Sequence, residues 1–225
     1  MIKAKNIHLQ YLSNKKPTFH DVSFEINKGD FVILSGPSGS GKTSLLKLMH
    51  MNLQPTHGRL EIFGQAPYKM SNEQKSRTRQ KMGFIFQDLQ LLDDSTVFEN
   101  VALPLKITSK GKNHIDKNVT ELLDWFELSH RKKDKISNLS GGEKQQIAIA
   151  RAIINKPQLI LADEPTESID IQTGDKILKL LQEMNKFGTT VVLATHSQRI
   201  KDKINGKSFS LFDGKIIQEQ VSNGS

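Results

Sequence analysis

The sequence predicts an α/β fold centred on a parallel sheet covered on both faces, and three observations carry that expectation. First, the apolar runs FVILS (Phe31 to Ser35), LILAD (Leu159 to Asp163) and TVVLAT (Thr190 to Thr195) are too continuous for half-exposed strands. Second, Ile177, Leu180, Leu181 and Met184 share one helical face between the last two runs, closed by Gly188, so that stretch reads as strand, helix, strand. Third, GPSGSGKT (Gly36 to Thr43) lies between FVILS and the helical pattern TSLLKLMH. A glycine-rich loop in that setting turns its amides toward phosphate oxygens at a helix N-terminus.

The other elements follow in chain order. IKAKNIHLQ alternates apolar and polar residues, and VSFEI and RLEIFG join it as antiparallel strands beside the parallel sheet. From about Leu89 to Asn155 the spacing is helical, with Val119, Leu122, Leu123 and Phe126 forming an apolar stripe suited to a core. FSLFDGKIIQ, with Asp213 and Gly214 at its turn, reads as a hairpin. The expected organisation is one domain over residues 1–225: a P-loop α/β core, an N-terminal antiparallel β part and a helical insertion at about 89–155.

Composition narrows the classes of function. Of 225 residues, 25% are charged and 36% apolar, and there is no cysteine, which excludes disulfide scaffolds and thiolate metal sites. No run approaches the ~18 apolar residues of a membrane span, and MIKAKNIHLQYL lacks the apolar stretch of a signal peptide. A cytoplasmic chain is expected, with any membrane role lent by a partner. The formal charge of +8 would attract nucleotide, nucleic acid or an anionic membrane face. It is spread over KSRTRQK (Lys75 to Lys81), KITSKGK (Lys106 to Lys112), RKKDK (Arg131 to Lys135) and KDKINGK (Lys201 to Lys207), which also suits solvated faces.

The motifs point to nucleoside triphosphate chemistry. Gly36, Gly39 and Gly41 give the loop its freedom, Lys42 would sit on the β and γ phosphates, and Thr43 on Mg²⁺. LILADE ends a buried strand in two acids: Asp163 would hold Mg²⁺ through water, and Glu164 would orient or deprotonate the attacking water. A salt-bridged pair of acids at a strand end is the alternative for that dipeptide.

Taken in order, the Walker A loop, FQDLQ, LSGGE, LILADEPT and ATH resemble the nucleotide-binding domains of ABC ATPases over nearly the whole chain, and LSGGE separates these from other P-loop proteins. The resemblance implies ATP and Mg²⁺ as ligands. The nucleotide would be held by Gly36, Pro37, Ser38, Gly39, Ser40, Gly41, Lys42, Thr43 and Ser44, with Tyr11 stacked on adenine and Asp170 nearby. It implies that Gln87 senses the γ phosphate and the metal, and that His196 contacts the γ phosphate. Tyr11 as strand packing, Gln87 as a strand-end cap and His196 as a satisfied loop histidine remain open readings.

The same resemblance implies that Ser140, Gly141 and Gly142 close over ATP bound at another subunit, so that two copies form a homodimer around ATP. The longer stretches SGPSGSGKTSLLKLMHMNLQPTHGRLEIFGQ and FQDLQLLDDSTVFENVALPLKI resemble the family's cell-division members, which implies an integral membrane partner and a place on the cytoplasmic face of the inner membrane. Lipoprotein-releasing and macrolide-export members share much of this pattern. A family member acting on nucleic acid or ribosomes would carry a coiled-coil insertion, a zinc module or a tandem cassette, so no nucleic acid is expected. Asp88 to Leu105 would border the partner's groove, with Leu91, Leu92, Val97 and Phe98 either in it or in the core. Two positions depart from the family: Glu167, where Gly or Ser is usual, and Gln146, where Arg is common.

Overall fold

The computed structural model describes residues 1–11, 17–108 and 111–219. Ser109 and Lys110, inside the basic stretch 106–112, lie outside them.

The three continuous apolar runs become β3 (Phe31–Ser35), β6 (Leu159–Asp163) and β7 (Thr190–Ala194), each buried throughout. With β5 (Met82–Ile85), β8 (Lys207–Phe212) and β9 (Lys215–Glu219) they form one sheet in the order β5-β6-β7-β3-β8-β9. It is parallel except for β9, which pairs with β8 in the expected hairpin, where Asp213 and Gly214 take positive φ of 45° and 70°.

Two separate cores explain why these strands cannot alternate in polarity. Phe31, Ile33, Ile160, Ala162, Val191 and Leu193 face a core shared with helices. Val32, Leu34, Leu159, Leu161, Val192 and Ala194 face a second core. Adjacent residues on a strand point to opposite faces, so a strand between two cores must be apolar at every position. Truncating fully buried Leu161 to alanine would cost about 2–5 kcal/mol.

The second core is closed by α1 (Lys42–Met49) and by an antiparallel sheet of β1 (Ile2–Leu9), β2 (Phe19–Ile26) and β4 (His57–Ile62), in the order β2-β1-β4. Ile2 and Ala4 pair with Ile26 and Phe24 on one side and with Ile62 and Leu60 on the other. The alternation breaks at Asn6, whose φ of 50° accompanies a register shift that returns Ile7 and Leu9 to the core.

The first core is closed by α3 (Val97–Ile107), α4 (Lys112–Trp125), α5 (Gly141–Ile153), α6 (Ile171–Lys186) and α7 (Gln198–Lys203). Ser140 caps α5 and Thr96 caps α3, each through a reciprocal box with the glutamate three residues on. One helix has no apolar signal: α2 (Asn72–Arg79) is polar on nearly every face and carries most of the basic stretch 75–81. Its Ser71–Gln74 capping box was the feature of the sequence that could have revealed it.

Register decides where the chemistry goes. Ala194 lies beside Leu34 on one side and Asp163 on the other, and Ile85 lies beside Ala162. The loops that follow β3, β5, β6 and β7 therefore leave from one edge of the sheet, the carboxyl edge at which α/β sheets gather ligands.

Candidate nucleotide site

Ser35 ends β3, and the chain enters the glycine loop through residues that no side chain could replace. A Cβ on Gly36 would stand 2.4 Å from the Leu211 carbonyl oxygen, and one on Gly41, at φ 101°, would stand 2.8 Å from the Phe19 ring. Gly41 is the residue at the head of α1, so no side chain caps that helix, and its first turn carries no acid. Its N–H groups and positive dipole end are left to an anion.

Lys42 is 8% exposed, and its Nζ donates to the carbonyls of Gly36 at 2.8 Å and Pro37 at 3.1 Å. The loop thus holds the charge that its phosphate ligand would need. Ser40 Oγ is buried without a hydrogen-bond partner among the described residues, an orphaned hydroxyl inside the same loop. A phosphate oxygen is the kind of group that would satisfy it.

Thr43 Oγ1 donates to Asp163 Oδ2 at 2.6 Å, tying α1 to the end of β6. Burial pushes the Asp163 carboxyl above its ordinary range; the Thr43 bond opposes that rise and the neighbouring Glu164 charge adds to it. A carboxylate and a hydroxyl, with the Gln87 amide beside them, form an all-oxygen donor set of the kind that suits a hard divalent cation such as Mg²⁺.

Glu164 sits at φ 48°, a strained conformation for a residue with a side chain, held by its N–H donating to Ala194 O at 3.0 Å. Its side chain is 10% exposed. The carboxylate accepts from Thr195 Oγ1 at 3.1 Å, from the His196 N–H at 2.9 Å and from His196 Nδ1 at 2.7 Å. These partners fix its direction and engage His196 Nδ1 as a donor.

Ser38, Lys42, Thr43, Gln87, Asp163, Glu164, Glu167 and His196 line one cavity of about 320 Å³. Eight residues from four separate stretches of chain therefore converge on the sheet edge. Tyr11, Ser140, Gly141, Gly142 and Asp170 do not line it, and neither do Gly36, Pro37, Gly39, Ser40, Gly41 and Ser44 of the glycine loop and the first turn of α1. Tyr11 sits beside α1, its phenol 3.0 Å from Ser44 Oγ. Asp170 caps α6, accepting from the Thr173 N–H at 2.9 Å. Ser140 caps α5 with its hydroxyl 2.7 Å from Glu143 Oε2, and that carboxylate pairs with Arg131.

Two residues that the motifs did not single out join these loops. Gln145, 2% exposed, donates from Nε2 to Pro165 O at 2.8 Å, linking α5 to the turn after Glu164. Its place on the stripe of Ile149 and Ile153 is the available signal, because a polar group on an apolar stripe needs a buried partner. Arg151 donates to the carbonyls of Leu89 and Gln90 at 2.7 Å each, holding both at positive φ of 57° and 47°. Gln146 is half-buried, and nothing in the structure explains its departure from the pattern.

A second cavity of about 360 Å³ opens between α3 and β5. It is lined by the stacked rings of Phe84 and Phe86, 3.9 Å apart, by His50, and by Leu103, Pro104 and the 57% exposed Ile107. Of the four apolar residues expected either in a partner's groove or in the core, Val97 is wholly buried in the core, Leu91 and Phe98 pack against it and Leu92 is exposed; none of the four lines this cavity.

Comparison with known proteins agrees with this geometry. The family model for ABC transporters matches residues 19–167. The cell division ATP-binding protein FtsE of Mycobacterium tuberculosis is 37% identical over 220 residues, covering 98% of this chain and 96% of that protein. The methionine import ATP-binding protein MetN of Carboxydothermus hydrogenoformans is 40% identical over 223 residues, covering 98% of this chain and 66% of that protein. Among solved structures, a dimeric post-hydrolysis state of an ATP-binding cassette bound to ADP and Pi is similar over all of both chains, with a TM-score of 0.92 and 34% identity.

Proposed function

We propose, from the premise that this chain belongs to the ABC transporter family, that it is the ATP-hydrolysing subunit of a membrane complex and works as a homodimer closed around ATP. The observation that carries this reading is the Thr43–Asp163 bond beside the Glu164–His196 pair, which gathers the glycine loop and both acids at one cavity.

Each residue then has a task. The amides at the head of α1 and the Lys42 ammonium bind the phosphates, and the Ser40 hydroxyl joins them. Thr43, Asp163 and Gln87 would hold Mg²⁺, which supplies charge neutralisation at the phosphate oxygens. Glu164 orients the attacking water, with its direction set by Thr195 and His196, and His196 contacts the γ phosphate. Tyr11 packs near the base. Ser140, Gly141 and Gly142, outside their own chain's cavity, serve the ATP of the second copy. Asp170 supports the same seam by capping α6 next to it.

The groove of Phe84, Phe86, Leu103, Pro104 and Ile107 receives a cytoplasmic helix of the membrane partner. Among the described residues no helix is long and apolar enough to cross a membrane. The likeness to FtsE over nearly full length supports a cell-division role with a partner of FtsX type, at the cytoplasmic face of the inner membrane, controlling peptidoglycan hydrolases. The MetN likeness favours a second reading, a solute transporter's ATPase, a class that also includes lipoprotein-releasing and macrolide-type systems.

Two experiments test this. Glu164→Gln should keep ATP affinity within about twofold, lower phosphate release by about 100-fold or more, and accumulate an ATP-bound dimer on size exclusion. Turnover near that of the parent chain would remove Glu164 from its role. Copurification of the membrane subunit and its identification by mass spectrometry separates FtsX type from permease.

A further inference from the structure

Glu167 reaches the catalytic cavity through the local turn. After the strained Glu164 the chain folds back, and the Glu167 N–H donates to Glu164 O at 3.2 Å. Its side chain then lines the same cavity as Lys42, Thr43 and Asp163. There Gln87 Nε2 donates to Glu167 Oε2 at 3.3 Å. The two residues lie 80 positions apart in sequence and come from loops after different strands.

The chemistry of that bond is directional. A carboxylate oxygen only accepts, whereas a carboxamide has one end that donates and one that accepts. The nitrogen of Gln87 must therefore be the end that meets Glu167, and the carbonyl oxygen Oε1 is the end left over. Only that oxygen can ligate a hard cation, since an amide nitrogen has no available lone pair. Glu167 has the relation to Gln87 that a carboxylate has to a metal-bound histidine: it holds the ligand's other end and so fixes which atom is offered.

We propose that Glu167 is a positioning residue for Gln87, claiming its amide nitrogen so that Oε1 is presented to the divalent cation at Thr43 and Asp163. This rests on the reading of Gln87 as a metal-sensing residue. A competing physical effect is simple repulsion between the Glu167 charge and the phosphates of ATP, which would weaken nucleotide binding with or without metal.

The test uses the full chain with Mn²⁺ and the non-hydrolysable β,γ-imido analogue of ATP, reading free Mn²⁺ by electron paramagnetic resonance and metal-free nucleotide affinity by calorimetry. Glu167→Gln keeps the shape but gives position 167 a donor as well as an acceptor, so the Gln87 amide can turn over. It should weaken Mn²⁺ retention by about tenfold, the lower end of what loss of such an outer partner costs. Gln87→Ala should weaken it by at least as much, and Glu167→Gln should add nothing in the Gln87→Ala background. Unchanged Mn²⁺ retention in Glu167→Gln while Gln87→Ala lowers it overturns the positioning role and leaves the reading of Gln87 intact. Unchanged retention in Gln87→Ala overturns both. An effect of Glu167→Gln that persists without Gln87, or tighter metal-free binding as the only effect, assigns Glu167 to direct charge and overturns the proposal.

Discussion

Two helices of this chain begin at glycine-bearing loops, and their first turns are finished in opposite ways. At the head of α1 stands Gly41, with no side-chain cap and no acid in the first turn. At the head of α5 stands Ser140, whose hydroxyl accepts from the Glu143 N–H while the Glu143 carboxylate takes the Ser140 N–H and hydroxyl. A bare helix N-terminus has its own need for an anion, but one already capped by a glutamate does not. The first loop can bind phosphate within its own chain. The second must exchange an internal bond for an external one, which suits a surface engaged only when another subunit brings the phosphate to it.

The largest effect that could break this contrast is at the second helix. Ser140→Arg should lower turnover by about 100-fold or more while ATP affinity of the dilute chain, read by calorimetry with the non-hydrolysable analogue, stays within about twofold. Loss of affinity there would mean that both loops serve one chain's nucleotide. Lys42→Ala should do the reverse, weakening ATP binding about 10- to 100-fold at any protein concentration, as expected for a lost charge-assisted phosphate contact.

The far end of α1 allows a third, smaller test. His50 terminates that helix, where a positive charge would interact well with the dipole, yet burial, with help from the Arg79 charge, lowers its pKa to about 4. The unfolded chain takes up this proton near 6.5 and the folded chain only near 4, so stability is full above 6.5 and lost as pH falls toward 4. The loss attributable to His50 is at most about 3 kcal/mol. Urea midpoints at pH 7 and pH 4.5 should differ less in His50→Gln than in the parent chain, and equal differences would show that the ring carries no such load. Smallest is Glu143→Ala, which removes the reciprocal cap and the Arg131 pair and should cost about 1 kcal/mol by the same measurement. If that variant also bound phosphate analogues at α5 without a second copy, the cap would be the feature separating the two loops.

How far sequence alone reached follows from where each signal is stored. β3, β6 and β7 were legible because burial on both faces forces an unbroken apolar run. The phosphate loop was legible because its glycines and Lys42 are contiguous. The shift at Asn6 was read over as plain alternation, although the adjacent polar pair Lys5–Asn6 between Ala4 and Ile7 carries its mark. Helix α2 was hidden because its polar faces give no period to read. At the site, Glu164 and His196 were found as separate motifs, but their bond depends on β6 and β7 being neighbours. Glu167 and Gln87 were each visible, one as an unusual residue and the other in its motif, but their pairing was not, because the distance between them is closed only by the fold.

The Arg151 guanidinium gives α5 a mechanical meaning. A 13-residue helix is a rod of about 20 Å, and this one starts at Ser140 and carries at its other end a forked grip on the Leu89 and Gln90 carbonyls. Those two peptide units are held in a left-handed bend, a shape that residues with side chains leave readily once released. The Gln145–Pro165 bond lies between those two ends, so α5 physically joins the Ser140 loop to the rim of the aromatic groove. If the proposed homodimer closes at Ser140 and the proposed membrane helix seats in that groove, this single helix is the piece of structure that touches both.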